Sequence, residues 1–417
     1  MVGRLEISGR VRELSERAVA DAAGLFEDID RVARSNTEKV LFAFRLHRVS
    51  ENCFSGTTGY GYNDKGRETL DRVFADVMGT HSALVRAGFV NGTHAITSAL
   101  FAALRPGKTL LSATGLPYDT VRSAIGLTGG YSGSLKDFSI GYKQVELGAD
   151  GKPDLAAIQA ALREDRDIGA VFVQRSRGYS ARRGLRVVDV GEICEAVHGV
   201  DGSIAVIVDN CYGEFVETME PGDAGADLVA GSLIKNPGGG IAPTGGYVAG
   251  REDLVEAAAH RLTSPGIGAE CGATLGVNRL LFQGLFFAPH TVAQALKTAV
   301  FCARLFELMG FSGVPRYDEP RTDIVQMVEL GSKELLERFC RGIQAGAPVD
   351  AFVTPEAWDM PGYDHPVIMA AGSFIQGSSI ELSADGPMRE PFCAYLQGGL
   401  TFESGKLGVM LAASYME

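Results

Sequence analysis

One acid and one lysine near the middle of the chain have the types and positions that covalent cofactor chemistry needs. Residues 204–208 are apolar and mostly β-branched, which predicts a strand buried on both faces, and Asp209 follows at its end. A second run, residues 227–234, ends at Lys235 and precedes a glycine-rich turn. A lysine with such open surroundings has room to form an imine with an aldehyde, and a carboxylate can keep a pyridine nitrogen protonated.

Pyridoxal phosphate is the common aldehyde cofactor that needs both groups, because only its protonated ring is a good electron sink. We therefore predict that Lys235 holds this cofactor and acts as the catalytic base, and that Asp209 contacts the ring nitrogen. Ser232 lies three residues before Lys235, a spacing at which its hydroxyl can reach the phosphate. Gly92 and Thr93 open a predicted helix, whose unpaired amides and dipole favour a phosphate; simple helix capping is the alternative.

Alternating patterns indicate which elements position these residues. Strand-like and helix-like segments alternate over residues 83–148, which predicts an α/β fold with a mostly parallel sheet. Residues 10–34 have the periodicity of an amphipathic helix, and a further helix begins near Lys65. A long helical run over residues 275–308 contains Pro289, where we expect an interruption.

Two motifs, FSGTTGYGYNDKGR and SLIKNPGGGIAPTGGYVAG, carry a resemblance that extends over nearly the whole chain. They resemble the methionine gamma-lyase-like family, often labelled aluminium resistance or cystathionine beta-lyase-like proteins, among the fold-type-I pyridoxal-phosphate enzymes. The resemblance implies a mostly parallel seven-stranded sheet flanked by helices, with a smaller α+β carboxyl-terminal domain. We divide the chain into an amino-terminal helical arm and loop (1–70), a large cofactor domain (71–290) and the small domain (291–417).

The resemblance also implies roles for three tyrosines. Tyr118 is expected to stack on the cofactor and to take part in catalysis, with plain packing before a helix capped by Asp119 or Thr120 as the alternative. Tyr60 or Tyr62 is expected to reach the phosphate of a neighbouring subunit, unless both only pack a turn. The protein is then a homodimer or homotetramer with shared active sites.

Substrate binding is predicted at arginines. Arg389 is expected to hold the α-carboxylate of an amino acid, because a planar guanidinium binds a carboxylate through two bonds; a surface pair with Glu390 is the alternative. Five arginines between positions 175 and 186 form either a solvated charge run or part of the ligand edge. Sulfur-amino-acid lyases carry an acidic Glu-Ser-Pro type segment with Asn here, so Arg177 and Tyr179 are the candidates that replace its contacts.

Composition limits the partners. The formal net charge of −12 disfavours nucleic acids and anionic membranes. Seven scattered cysteines without a CxxC pair suggest reduced thiols and no zinc site, and no metal-ligand cluster is visible. The charged amino terminus lacks the apolar core of a signal peptide, so we expect a soluble cytoplasmic protein.

The predicted reaction is β- or γ-elimination on an amino acid, with cleavage of a carbon–sulfur bond in a cystathionine- or methionine-like substrate. Its products are an oxo acid, ammonia and a thiol. Fold-type-I sites also carry out transamination and γ-replacement with almost the same residues, so both remain alternatives. A metal-tolerance or regulatory protein without catalysis is a further alternative, suggested by the family label.

Overall fold

A computed structural model of the chain describes residues 5–180, 182–360 and 365–417. Positions 1–4, 181 and 361–364, which belong to the predicted arm, basic segment and small domain, lie outside the described residues. Two β-sheets, one of seven strands and one of five, are packed against α-helices.

The larger sheet contains the first seven strands of the chain. They are β1 (Ser82–Arg86), β2 (Thr109–Ser112), β3 (Gly141–Gln144), β4 (Ile168–Gln174), β5 (Ala205–Asp209), β6 (Leu228–Ser232) and β7 (Gly246–Gly250). Their order is β1-β7-β6-β5-β4-β2-β3, and β7 runs antiparallel to both neighbours while the remaining pairs are parallel. The predicted mostly parallel seven-stranded sheet is confirmed. Because β5 and β6 are buried along their whole length, their sequences are apolar up to the last residue of each strand, Asp209 and Ser232.

The smaller sheet follows in the last third of the chain. Its strands are β8 (Ser312–Val314), β9 (Gln326–Glu329), β10 (Val367–Ala370), β11 (Ser383–Pro387) and β12 (Cys393–Gln397). They form the order β10-β11-β12-β9-β8 with every pair antiparallel, as an α+β unit requires.

Helices cover the sheets and form the amino-terminal arm. They are α1 (Gly9–Asp21), α2 (Ala23–Leu46), α3 (Lys65–Val77), α4 (Gly92–Ala103), α5 (Asp119–Ile125), α6 (Leu155–Glu164), α7 (Val187–His198), α8 (Glu252–Leu262), α9 (Asn278–Leu308), α10 (Lys333–Ala345) and α11 (Phe402–Met416). The predicted helix over residues 10–34 is two helices: α1 ends at Asp21, and α2 begins at Ala23 and continues to Leu46.

The predicted interruption near Pro289 is wrong. Helix α9 continues through Pro289 for 31 residues. The neighbouring Leu285, Ala288 and Val292 are all buried, so packing on both sides of the proline outweighs the hydrogen bond that its missing N–H costs.

Helix α9 also connects the two hydrophobic cores. Its Leu281, Leu285 and Leu296 pack in the core of the large sheet, whereas Phe301 and Phe306 pack in the core of the small sheet. The boundary predicted at residues 290 and 291 lies inside this helix. The domain limits themselves remain a prediction.

Candidate active site

A cavity of about 440 Å³ lies where the carboxyl ends of β5 and β6 meet the amino terminus of α4, at the sheet edge where open α/β folds bind ligands. We call it the lysine cavity. It brings together seven of the residues selected from the sequence: Gly92, Thr93, Tyr118, Tyr179, Asp209, Ser232 and Lys235.

Lys235 follows β6 and precedes a single 3₁₀ turn, Asn236–Gly238. Its Nζ lies 3.9 Å from the centre of the Tyr212 ring. Burial alone would lower the pKa of Lys235, but the neighbouring Cys211, Tyr212 and Asp209 side chains raise it above the ordinary lysine value. The Lys235 amine is therefore positioned by the Tyr212 ring and attracted by the acidic side chains around it. Tyr212 was not selected from the sequence, and the only sequence signal for it is its position three residues after Asp209.

Asp209 is buried at the end of β5, and its Oδ1 accepts a hydrogen bond of 3.0 Å from the Cys211 amide. Burial raises the pKa of Asp209 above the ordinary value, and Lys235 acts in the opposite direction. A buried carboxylate whose negative charge depends on a nearby cation is suited to binding a protonated ring nitrogen.

The amino terminus of α4 has the features of a phosphate site. Asn91 caps the helix by accepting a 2.8 Å hydrogen bond from the His94 amide. A Cβ on Gly92 would lie 3.2 Å from Ser232 Cβ and 3.3 Å from Cys211 Sγ, so glycine allows the helix to approach β6 closely. The buried Ser232 Oγ has no hydrogen-bond partner among the described residues. A phosphate would satisfy this hydroxyl and the free amides of the helix, so the residues fit pyridoxal phosphate.

Tyr118 and Tyr179 line another part of the lysine cavity. Their ring centres are 5.9 Å apart, and the Tyr118 amide donates a 2.7 Å hydrogen bond to the side chain of Gln174. The predicted helix cap is wrong, because Tyr118 itself is the N-cap of α5 and Asp119 pairs with Arg122 instead. Stacking of Tyr118 on the cofactor remains a prediction.

Arg177 and Arg389 do not line the lysine cavity. They line a second cavity of about 540 Å³, which we call the arginine cavity, and the two cavities share Tyr118, Gln174, Gly178 and Tyr179. Arg389 is exposed and donates a 3.2 Å hydrogen bond to the carbonyl of Tyr179. Arg177 is buried and donates to the carbonyl of Val314 at 2.7 Å. Their contacts with substrate remain predictions. Both arginines lie in a cavity that shares Tyr118 and Tyr179 with the lysine cavity.

Tyr60 and Tyr62 line neither cavity. They are 74% and 57% exposed, and their rings stack with centres 5.6 Å apart. The loop that carries them is fixed by Arg67, whose guanidinium donates to the carbonyls of Gly61, Glu270 and Gly272 at 2.7–3.0 Å. Sequence reasoning missed Arg67, because two of its three partners, Glu270 and Gly272, come from a segment about 200 residues away.

Asp385 was also missed. It is buried in β11, lines the lysine cavity, and accepts a 2.9 Å hydrogen bond from the Gln397 side chain. Burial raises the pKa of Asp385 to about 6, while hydrogen bonds from Tyr179 and Gln397 act in the opposite direction. The sequence signal that could have identified Asp385 is its acidic side chain within an otherwise uncharged strand.

The described residues show neither a metal site nor a membrane span. They contain no group of three or more His, Cys, Asp or Glu side chains that could hold a metal ion. None of their helices combines the length and the apolar character needed to cross a bilayer.

The fold and the cavity define a class, the fold-type-I α/β proteins with a lysine after the sixth strand. The pyridoxal-5'-phosphate dependent protein YhfS from Escherichia coli shares this fold with a TM-score of 0.61 at 18% identity, covering 92% of this chain and 95% of that one. Within that class, the methionine gamma-lyase family model matches residues 11–417, and the chain belongs to that family.

Two relatives are much more similar. A carbon-sulfur lyase involved in aluminum resistance from Clostridium novyi NT has a TM-score of 0.95 and 52% identity, with 100% of both chains covered. The uncharacterized protein YnbB of Bacillus subtilis (strain 168) is 50% identical over 394 residues, which is 94% of this chain and 93% of that protein.

Proposed function

We propose that the protein is a pyridoxal-phosphate-dependent carbon–sulfur lyase that acts on a sulfur-containing amino acid. One observation carries the proposal: the amine of Lys235, the carboxylate of Asp209 and the unsatisfied hydroxyl of Ser232 beside the α4 terminus line a single cavity. Membership of the methionine gamma-lyase family and the carbon-sulfur lyase of Clostridium novyi NT support the same chemistry.

Each residue has a separate task in this proposal. When bound, pyridoxal phosphate supplies the electron sink that makes the substrate Cα proton acidic. Ser232, Gly92 and Thr93 hold the phosphate, and Asp209 holds the proton on the ring nitrogen. Lys235 attaches the cofactor, gives way to the substrate amine, and then removes the Cα proton through Nζ.

The protonation state of Lys235 limits the reaction, because only the uncharged amine accepts a proton. Asp209 is one of the three neighbours that raise the pKa of Lys235. Pairing of Asp209 with the ring nitrogen removes part of that influence and so favours the uncharged amine. In elimination, the carbon–sulfur bond then breaks at Cβ, or at Cγ after a second proton transfer, with its electron pair on sulfur.

Attachment and activity test the proposal separately. Borohydride reduction of the cofactor-loaded protein, followed by peptide mass mapping, should label the peptide with Lys235. Lys235→Ala should lose the label, whereas Lys333→Ala, at an exposed position in the first turn of α10, should keep it. A label on another lysine would disprove the attachment.

A panel of sulfur amino acids should release oxo acid, ammonia and thiol in equal amounts. Oxo acid without thiol would indicate transamination instead.

A further inference from the structure

Glu214 is a fully buried acid in the turn that follows β5, and it does not line the lysine cavity. Its Oε1 accepts a 2.8 Å hydrogen bond from the Tyr247 hydroxyl on β7, while its Oε2 has no hydrogen-bond partner among the described residues. The nearby Arg175 donates to the carbonyl of Gly213 and pairs with Glu217, and no ion pair in the described part of the chain includes Glu214. A carboxyl group in such a setting is more stable with its proton than as an anion.

Four titratable groups face the Glu214 carboxyl: those of Cys211, Glu220, Lys235 and Tyr247. Burial, reinforced by the charge of Glu220, raises the pKa of Glu214 to about 8, against the opposing effects of its hydrogen bonds and of Lys235. At neutral pH the carboxyl group is therefore protonated in most molecules. Among these four neighbours, Lys235 is the one that carries positive charge.

Glu214 also contacts the residue that follows Lys235. Its backbone carbonyl accepts a 2.9 Å hydrogen bond from Asn236 Nδ2. The Oδ1 of Asn236 is buried and, like Glu214 Oε2, has no partner in the described structure. A proton on Glu214 supplies a donor to a contact that otherwise contains two unsatisfied acceptors.

Glycine at position 231 makes this arrangement possible. A Cβ there would lie 2.6 Å from both Glu214 Oε1 and Tyr247 Cε1. Gly231 belongs to β6, the strand that leads to Lys235, so the Glu214–Tyr247 pair packs directly against that strand. A change in the charge of Glu214 therefore acts at close range on the segment that holds the lysine.

We propose that Glu214 is a positioning residue that keeps Lys235 reactive only while its own carboxyl group is protonated. An ionised Glu214 attracts the protonated form of Lys235 and so keeps that amine charged. A charged amine can neither attach the cofactor nor remove the Cα proton of a substrate. The first consequence concerns Lys235 alone, and the second rests on the proposed lyase function.

Glu214→Gln tests the proposal, because glutamine keeps the size of the side chain and a donor but cannot ionise. The rate constant for attachment of pyridoxal phosphate to the full chain, and kcat with a saturating sulfur amino acid, should be within about twofold of wild type at about pH 7. At about pH 9 both should be about tenfold higher in the variant, because only about one wild-type molecule in ten then keeps the Glu214 proton. Glu256→Gln, at an exposed position of α8, is the matched control and should follow wild type at both pH values.

Infrared spectra test the protonation itself, even if the variant folds poorly. Wild type should lose the carbonyl band of a protonated carboxylic acid between about pH 7 and about pH 9, and Glu214→Gln should lack this change. If attachment shows the tenfold difference but no amino acid is cleaved, the lyase function fails and the role of Glu214 stands. If attachment has the same pH profile in variant and wild type, or if the band persists at the higher pH, the role of Glu214 is disproved and the lyase function stands.

Discussion

At the scale of single residues, two buried carboxylates line the cavity of Lys235 and differ in their surroundings. Asp209 accepts a hydrogen bond from the backbone of Cys211, whereas Asp385 accepts one from the Gln397 side chain. Lys235 opposes the upward pKa shift of both acids. Asp209, which ends the strand next to β6, is suited to the ring nitrogen, whereas Asp385 comes from β11 of the smaller sheet.

Asp209→Asn should keep the cofactor attached while slowing turnover on the order of 10²-fold, because the neutral amide cannot hold the proton on the ring nitrogen. Absorbance of the bound cofactor and kcat for oxo-acid release would measure the two effects. Asp253→Asn, at an exposed position of α8, is the control and should retain wild-type kcat. Near-normal turnover of Asp209→Asn would rule out the assigned role.

Asp385 should make stability depend on pH. Its pKa rises from 3.8 to about 6 on folding, so between these values the folded protein retains a proton that the unfolded chain releases. Stability must therefore fall as pH increases, by about 1.4 kcal/mol between about pH 5 and about pH 7.5. Asp385→Asn removes this titration. Urea unfolding at the two pH values should show the variant gaining that amount relative to wild type. If the free energies of unfolding of the variant and wild type differ by the same amount at both pH values, Asp385 does not titrate in this range.

At the scale of elements, the turn after Lys235 depends on a close contact with α9. A Cβ on Gly284 would lie 2.4 Å from the carbonyl oxygen of Gly238, which belongs to that turn. Gly284→Ala should therefore displace the turn, destabilise the protein by about 1–3 kcal/mol and weaken cofactor retention. Gly24→Ala is the matched control, because nothing lies within 4 Å of its Cβ and alanine favours a helix by about 0.5–1 kcal/mol. Equal unfolding midpoints for the two variants would disprove the contact.

Elements whose signals are local could be predicted from sequence. The strands before Asp209 and Lys235 were visible because burial on both faces leaves a continuous apolar run, and the start of α4 was visible because Asn-Gly-Thr is a local helix signal. Asp385 and Arg67 could not be identified in this way. Arg67 holds carbonyls about 200 residues away, and Asp385 is buried beside Tyr179 of the large sheet's edge, so both depend on packing between distant segments that a local pattern does not encode. Pro289 shows the same limit, since tertiary packing overrides a local helix breaker.

At the scale of the whole molecule, the described chain places six of the eight proposed cofactor contacts in one cavity but leaves Tyr60 and Tyr62 outside it. The loop has an ordered anchor: Asp64 caps α3, and its carboxylate accepts hydrogen bonds from Thr57 and Thr274. Exposed aromatic rings on a firmly held loop are typical of a surface that is covered by another molecule. A second copy of the chain is the partner that the family resemblance implies.

We expect Tyr60 or Tyr62 of one subunit to complete the phosphate site of another. The amides of Gly92 and Thr93 and the Ser232 hydroxyl neutralise a doubly charged phosphate only in part, and two exposed phenols are available as donors. Tyr60→Phe/Tyr62→Phe and Lys235→Ala should each be inactive alone. When the two variants are unfolded and refolded together, mixed dimers contain one intact site, so about one quarter of wild-type activity should return. Each variant refolded alone is the control. If native mass spectrometry shows mixed dimers without recovered activity, the site is not shared.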